Sequence, residues 1–241
     1  PEKWRDYTKL EVKRDDAVGN QFRATAFEND RQLAKIGQPV DHSEWGMTPQ
    51  TVNAYNDTQR NEIVLPAAQL QRPFFDPNDD DAANLGATGA GTVGHEMTHG
   101  FDDEGHKFDL HGNVRNWWTK QDLRAFDSRA ACVVKQFDNA IAIGKVHYQG
   151  KLVAGEAIAD LGGVVIGYRA LESALAGKTR DMVDGFTPEQ RYFIAFAQSW
   201  TESVRPQAAR NQALTDQHPI PRDRVNLTVA NVPAWYTAFN C

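Results

Sequence analysis

Apolar residues along most of this chain recur every three to four positions, the spacing of one face of an α-helix. Between Asp15 and Ile36 they fall at Val18, Phe22, Ala26, Leu33 and Ile36, and Gly37 with Pro39 closes the stretch, so a helix is predicted there. Thr119 is a predicted N-cap, followed by an inner stripe of Leu123, Phe126, Ala130, Val134, Phe137 and Ile141. From Glu156 to Ala176 the pattern is helical again, with Ile158, Leu161, Val165 and Tyr168 on one side. Thr187-Pro188-Glu189-Gln190 supplies the cap, the N1 proline and the N3 glutamine of a capping box, opening a helix through Phe193, Phe196 and Trp200. Pro233 starts a last short helix across Trp235 to Phe239. Strand signals are few. Val52 to Tyr55 and Ile63 to Leu65 read as two strands at a sheet edge, separated by the polar stretch Asn56 to Glu62, and Val146 to Val153 reads as a hairpin around Gln149-Gly150. Pro73 to Asp81 is a loop by its prolines and acids. The expected fold is α+β and mainly α-helical with a small edge β-sheet, and without repeats or linkers residues 1–241 are expected to form one compact unit.

Composition narrows what such a fold can do. Of 241 residues, 41% are hydrophobic and 18 are glycine, an ordinary globular balance that excludes disorder, collagen and coiled coil. Lys+Arg number 26 against 32 Asp+Glu, a formal charge of -6, which argues against nucleic acid or an anionic membrane surface as the main partner. No apolar run is long enough for a membrane span. Cys132 and Cys241 fit neither a disulfide scaffold nor a CxxC zinc site; Cys132, in an apolar helical stretch, is expected to be a buried small hydrophobe. A start at Pro1 and an end at Cys241 raise the expectation that the chain is a piece of something longer.

The glycine-rich run Asn84 to Gly94 has the GxxxxG separation of a phosphate loop at Gly86 and Gly91, but Thr92 stands where that loop needs lysine, and no strand precedes it. A dinucleotide loop fails for the same lack of a strand. A helix whose small residues admit a close-packed backbone fits better. It leads into His95-Glu96-Met97-Thr98-His99. Four residues at ~100° each return His99 to the face of His95, one turn on, so both imidazoles can ligate one zinc. Glu96 is turned about 100° away and is free to act as general base on a water molecule.

A catalytic zinc usually takes three protein ligands. The continuation HExxHxxGxxH would need glycine at 102 and histidine at 105, where the chain has Asp102 and Gly105, and His106 misses by one. A glutamate on a second helix remains. Gly155-Glu156-Ala-Ile-Ala-Asp160-Leu-Gly-Gly163 places Glu156 and Asp160 on one face among apolar and small neighbours, 56 residues beyond His99. Asp102 and Asp160 can each accept an N–H from a ligating imidazole, fixing its tautomer.

Several motifs then occur in order: Val52-Asn-Ala-Tyr55, Leu65-Pro-Ala-Ala-Gln-Leu-Gln-Arg-Pro-Phe-Phe75, Gly94-His-Glu-Met-Thr-His-Gly-Phe-Asp-Asp103, Gly112-Asn113 before Trp117-Trp118, Gly155-Glu-Ala-Ile-Ala-Asp160, and His218-Pro219 before Arg224-Val-Asn226. From about Val52 onward the chain resembles the catalytic region of the neprilysin and endothelin-converting-enzyme family of zinc endopeptidases. The resemblance implies a thermolysin-like zincin catalytic domain over 1–241, the C-terminal part of an enzyme whose largely helical capping part lies earlier and is absent here; that missing part, in the same enzyme or as a separate chain, is the expected partner. It implies His95, His99 and Glu156 as ligands of one Zn2+, Glu96 as general base, and Asp102 and Asp160 as their carboxylate partners, with Asp160 counted among the catalytic set. Asn53 and Ala54 resemble the substrate-pairing edge strand, His218 the residue that stabilises the oxyanion, and Arg224 the one that holds a substrate carbonyl.

Taken alone, His218 before Pro219 reads as a surface histidine and Arg224 as a solvated charge. Phe74, Phe75 and Trp200 are candidates for the apolar wall of a side-chain pocket, although each also suits a core. Ser199 and Thr92 stand where the family commonly has larger apolar residues. The expected activity is cleavage of internal bonds in short peptides on the amino side of hydrophobic residues, in an extracellular or periplasmic setting rather than the cytoplasm. A zinc aminopeptidase of the related glutamate-ligand group, or a non-catalytic peptide-binding relative, are the alternatives. In secreted relatives, cysteines resembling Cys132 and Cys241 pair outside this segment, so no bond between these two is expected. The N-x-T sequons at Asn56 and Asn226 read as chance occurrences.

Overall fold

The computed structural model describes residues 5–241, which divide into two compact units at 46/47 rather than the single unit expected. The first contains α1 (Ala17–Leu33), started by Asp16, whose side chain accepts from the Gly19 N–H. Its apolar stripe is there, but Val18 and Phe22 are exposed and no residue of α1 is buried. Within this unit Glu44 gathers Arg31 and Lys35.

The second unit carries the remaining elements. Strands β1 (Tyr55–Asp57) and β2 (Glu62–Val64) pair antiparallel, Tyr55 opposite Val64 and Asp57 opposite Glu62. The second strand falls within one residue of its expected position, whereas the first begins only at Tyr55, the last residue of its expected span, so Asn53 and Ala54 stand just outside it. The Asn53 side chain accepts the Ala54 N–H at 2.9 Å, taking a donor that a ladder would need. The reversal is made by Asp57, whose carboxylate accepts from Gln59 and Arg60, and by Asn61 at φ 52.

A continuous helical rod follows: α2 (Asp81–Asn84), a π-helical stretch Leu85–Gly94, and α3 (His95–His99). Then come α4 (Lys120–Asn139), β3 (Ile141–Ile143), β4 (Val146–His147) and α5 (Ala154–Ala174). The chain ends with α6 (Pro188–Ser199), α7 (Pro206–Thr215), α8 (Pro221–Val229) and α9 (Pro233–Phe239). Both expected caps form: Thr119 with Asp122, and Thr187 with Gln190. The hairpin falls earlier than predicted, between β3 and β4, because Gly144 at φ 61 makes the turn. Gly150 serves instead for close approach, since a Cβ there would meet the Val134 carbonyl at 2.1 Å. Ile141 accordingly leaves the α4 stripe, and Cys132 is exposed rather than buried. Helices α7 and α8 were not anticipated, although Pro206 and Pro221 stand at their first turns. Among the described residues no helix is long and apolar enough to cross a membrane.

The core gathers around α5 and α6. Tyr192, Phe193 and Phe196 of α6 are almost wholly buried against Val164 and Leu171 of α5 and Ala90 of the π stretch. The Tyr192 hydroxyl donates to the Val164 carbonyl at 2.6 Å. The predicted stripe of α5 is only half-buried, while the buried positions include Glu156, Ala159, Asp160, Gly163 and Gly167. These let α5 lie directly on the rod. A Cβ on Gly163 would come within 2.4 Å of the Ala90 carbonyl and 2.8 Å of the His95 nitrogen, and one on Gly94 within 2.9 Å of Gly163. Gly163→Ala is therefore expected to destabilise the protein by about 1–3 kcal/mol and to reduce bound zinc, as read by denaturant unfolding and metal content; unchanged values in both would show that the two helices have slack.

Candidate metal centre

The rod and α5 are held at backbone contact, and that contact sets which side chains meet between them. His95 and Glu96 are buried and His99 half-buried, so α3 turns its polar residues inward. The Nε2 atoms of His95 and His99 are 3.0 Å apart, with ring planes at 89°. From α5, Glu156 brings Oε2 to 3.4 Å from His95 Nε2 and Oε1 to 3.5 Å from His99 Nε2. Bonds of ~2.0–2.1 Å to a tetrahedral zinc imply ligand–ligand edges of roughly 3.3–3.4 Å. Two imidazole nitrogens and one carboxylate at these separations fit zinc, and the mixed N/O set does not suit the all-oxygen shells of calcium or magnesium.

Behind these three candidate ligands stand the two aspartates. Asp102 Oδ2 lies 2.6 Å from His99 Nδ1, while its other oxygen accepts the N–H groups of Glu104 and Gly105. Asp160 Oδ1 lies 2.9 Å from His95 Nδ1. Asp160, expected among the catalytic set, is almost wholly buried and touches His95, Arg224 and no part of the open cleft, so any effect it has there passes through those two side chains. Arg224 gives Nε and Nη2 to Asp160 at 2.8 and 2.7 Å and reaches Glu156 Oε2 at 3.0 Å. Its guanidinium lies 3.9 Å over the Trp200 ring. Two of its donor groups are thus committed to carboxylates, and Nη1 is the one outside those bonds.

The charges follow from this packing. Burial alone would raise the Glu156 carboxyl, but His218 and His95 as hydrogen-bond partners, with Arg224 beside them, hold it far below the usual carboxylate range. Burial pushes Glu96 up, opposed by the nearby imidazoles, which leaves a carboxylate with enhanced affinity for a proton. His218 Nε2 stands 3.2 Å from Glu156 Oε1, and its Nδ1 lies 2.7 Å from Asp216. Those two carboxylates, Glu156 first, raise the basicity of the His218 ring against its partial burial.

An open cleft of about 740 Å³ runs along the ligands. Asn53, Ala54, Phe74, Trp200, His218 and Arg224 all line it with His95, Glu96, His99 and Glu156, so positions spread from 53 to 224 converge on one site. Phe75 is not among the lining residues. Sequence reasoning missed five supporting side chains. Asp216 orients His218, with a D-x-H spacing as its only signal. Asn56 donates to the Glu96 carbonyl at 2.8 Å and ties β1 to α3. Tyr148, from just beyond β4, donates to Asp223 at 2.7 Å and accepts the Ile220 N–H at 3.2 Å, and Arg222 closes on the same carboxylate. Nothing local marks Tyr148 or Asp223 for that task.

A family model described as peptidase family M13 matches residues 53–241, which include every residue of this site. The chain belongs to peptidase family M13. It is 39% identical over 98% of its length to an endothelin-converting enzyme homolog of Locusta migratoria, and 35% identical over 98% to human neprilysin. Among solved structures, the zinc metalloprotease ZMP1 of Mycobacterium tuberculosis, in complex with an inhibitor, superposes with a TM-score of 0.92 at 46% identity over the whole chain. PepO of Lactobacillus rhamnosis gives 0.83 at 36% identity over 97%. The M13 chain described here spans about a third of the length of those relatives: 32% of each curated protein and 37% and 36% of the two structures. Its mainly helical zincin fold, with small two-stranded sheets, is that of these M13 neighbours. Zinc is the metal that the M13 metalloprotease structure names, in agreement with the donor set. If Asp102 fixes the tautomer of His99, Asp102→Asn should weaken zinc binding by ~10–100-fold with the helical circular dichroism unchanged, measured by competition with a chromophoric chelator; wild-type affinity would refute that role.

Proposed function

We propose that this chain is the catalytic region of a zinc endopeptidase that uses one zinc ion to hydrolyse internal bonds of short peptides, on the amino side of hydrophobic residues. The observation that carries this reading is the closure of His95, His99 and Glu156 into a triangle of donors with Glu96 beside it, on the wall of an open cleft. When bound, zinc supplies Lewis acidity, which polarises a carbonyl and acidifies water. Glu96, with its raised basicity, takes a proton from the attacking water and passes it to the leaving amine. His218 carries a ring whose protonated form is favoured by Glu156 and Asp216, so its Nε2–H can turn to the developing oxyanion. Ala54 and Asn53, just outside β1, offer backbone groups at the cleft edge to an extended peptide. Arg224 has Nη1 for a substrate carbonyl while Asp160 and Glu156 hold the rest of its guanidinium. Phe74 and the Trp200 indole make the apolar walls for the side chain that follows the cleaved bond.

The same reading takes the remainder of the longer protein as the partner that limits substrate size, in an extracellular or periplasmic setting. Relatives named endothelin-converting enzyme homolog, neprilysin and neutral endopeptidase, at 34–40% identity, support the endopeptidase activity, and the chain covers only 30–32% of their lengths. Glu96→Gln in the full-length protein is expected to keep its zinc and lose at least ~10²–10⁴-fold in hydrolysis, with an N-terminally blocked peptide as substrate. Full activity in that variant would sink the assignment of Glu96, and cleavage confined to unblocked peptides would favour an aminopeptidase.

A further inference from the structure

The cleft wall changes character away from the metal ligands. Phe74 and Trp200 are half-buried and line it, but the buried uncharged polar side chains of the wall are Gln69 at 6% and Thr92 at 3% exposure. They are bonded to each other, Gln69 Nε2 donating to Thr92 Oγ1 at 3.0 Å. One residue back from Thr92, Gly91 brings the rod against α6: a Cβ there would lie 3.3 Å from Ser199 Oγ and 4.0 Å from Trp200 Nε1. Gln69, Gly91, Thr92, Ser199 and Trp200 therefore form one neighbourhood on the same cleft.

This floor has hydrogen-bonding capacity left over. Trp200 Nε1–H is buried and has no partner. Ser199 gives its hydrogen to the Phe196 carbonyl at 2.7 Å, which leaves its oxygen lone pairs. Gln69 keeps its second amide hydrogen beyond the bond to Thr92. None of these groups is charged. Arg224, stacked on Trp200, is already matched by Asp160 and Glu156, and Glu202, which also lines the cleft, is exposed. A charged side chain would reach the floor without a counter-ion, and a wholly apolar one would leave the buried polar groups unanswered.

We propose that this chamber selects a residue with a bulky body and an uncharged hydrogen-bonding tip immediately after the cleaved bond: tyrosine over phenylalanine, and glutamine over the similarly shaped methionine. The body lies between Phe74 and the Trp200 indole, and the tip meets the floor of Gln69, Thr92, Ser199 and the Trp200 N–H. This rests on the peptidase reading above and replaces the hydrophobic residue it places after the cleaved bond with a narrower class, bulky in body and polar at the tip. A site built to hydrogen-bond a polar group discriminates strongly against the analogue that lacks it, whereas extra apolar bulk alone discriminates weakly.

The test uses the full-length protein with zinc and N-terminally blocked peptides that differ only in the residue after the scissile bond, as Tyr/Phe and Gln/Met pairs. The polar member is expected to have kcat/KM at least about tenfold higher in each pair. Thr92→Val and, separately, Trp200→Phe should bring both ratios toward one. Ratios at or below one in the wild type overturn the proposal. Polar preference that survives unchanged in both variants also overturns it, because another surface would then be reading the tip. If no peptide of the set is cleaved, the peptidase reading itself fails. Binding of the same pairs to Glu96→Gln, by calorimetry, then decides the subsite separately: tighter Tyr and Gln peptides support it, and equal dissociation constants refute it.

Discussion

The contact on which this structure depends is between two backbones. Gly94 at the end of the π-helical stretch and Gly163 in α5 meet so closely that a Cβ on either would fall within 3 Å of the other helix. Glycine in a helix costs roughly 0.5–1 kcal/mol against alanine, and here it recurs at 86, 89, 91 and 94 on one element and at 162, 163 and 167 on the other. What the cost purchases is distance. His95 follows Gly94 directly, while Asp160 and Glu156 lie one and two turns before Gly163, so close approach of the glycines brings the imidazoles to the carboxylates. Larger residues at the crossing would separate the helices and open the donor triangle, since interiors pack at fixed density and do not deform continuously.

Assembling that many ionisable groups in one place is the second constraint. His95, Glu96, Asp102, Glu156, Asp160 and Arg224 are all buried, and an isolated buried charge is strongly unfavourable. All but the Glu96 carboxylate find a partner within the cluster. Arg224 offsets Asp160 and Glu156 together, Asp102 takes two backbone N–H groups as well as His99, and the backbone carbonyl of Glu96 is held by Asn56. Glu96 is the carboxylate least provided with fixed donors, and it is also the one whose proton affinity burial raises. The base role proposed for Glu96 needs that looseness, whereas the roles proposed for Glu156 and its supporting carboxylates need none.

How much of this could be read from the sequence depended on whether the signal was local. HExxH, the Glu156/Asp160 spacing, the Thr119 and Thr187 caps and the small residues of the rod each act within a few residues of chain, and each formed where expected. The strand pair and the hairpin slipped because single side chains decided them: Asn53 captured the Ala54 N–H, and Gly144 rather than Gly150 adopted the left-handed turn. Cys132 was expected to be buried because its stretch is apolar, and the α1 stripe forms without burial, since periodicity reports which side of a helix is apolar and not what covers it. Helices α7 and α8 were hidden in polar sequence with weak stripes.

His218 and Arg224 were the hardest to derive from their own surroundings, and the structure shows why. Both lie on the segment that runs from Asp216 into α8, whose placement is set from elsewhere. Gln212 of α7 holds the His218 and Pro219 carbonyls, and Tyr148, some seventy residues earlier in the chain, ties down both Asp223 and the Ile220 N–H. Asp223 and Arg224 are neighbours in sequence but face different partners: one is clamped by Tyr148 and Arg222, the other pairs with Asp160 and Glu156. The hydroxyl of a buried tyrosine next to the β3–β4 hairpin thereby fixes the backbone that carries two cleft residues. A residue of this kind has no chemistry of its own to advertise in the sequence. Its role exists only in the register between two elements, and that register becomes visible only when both are in place.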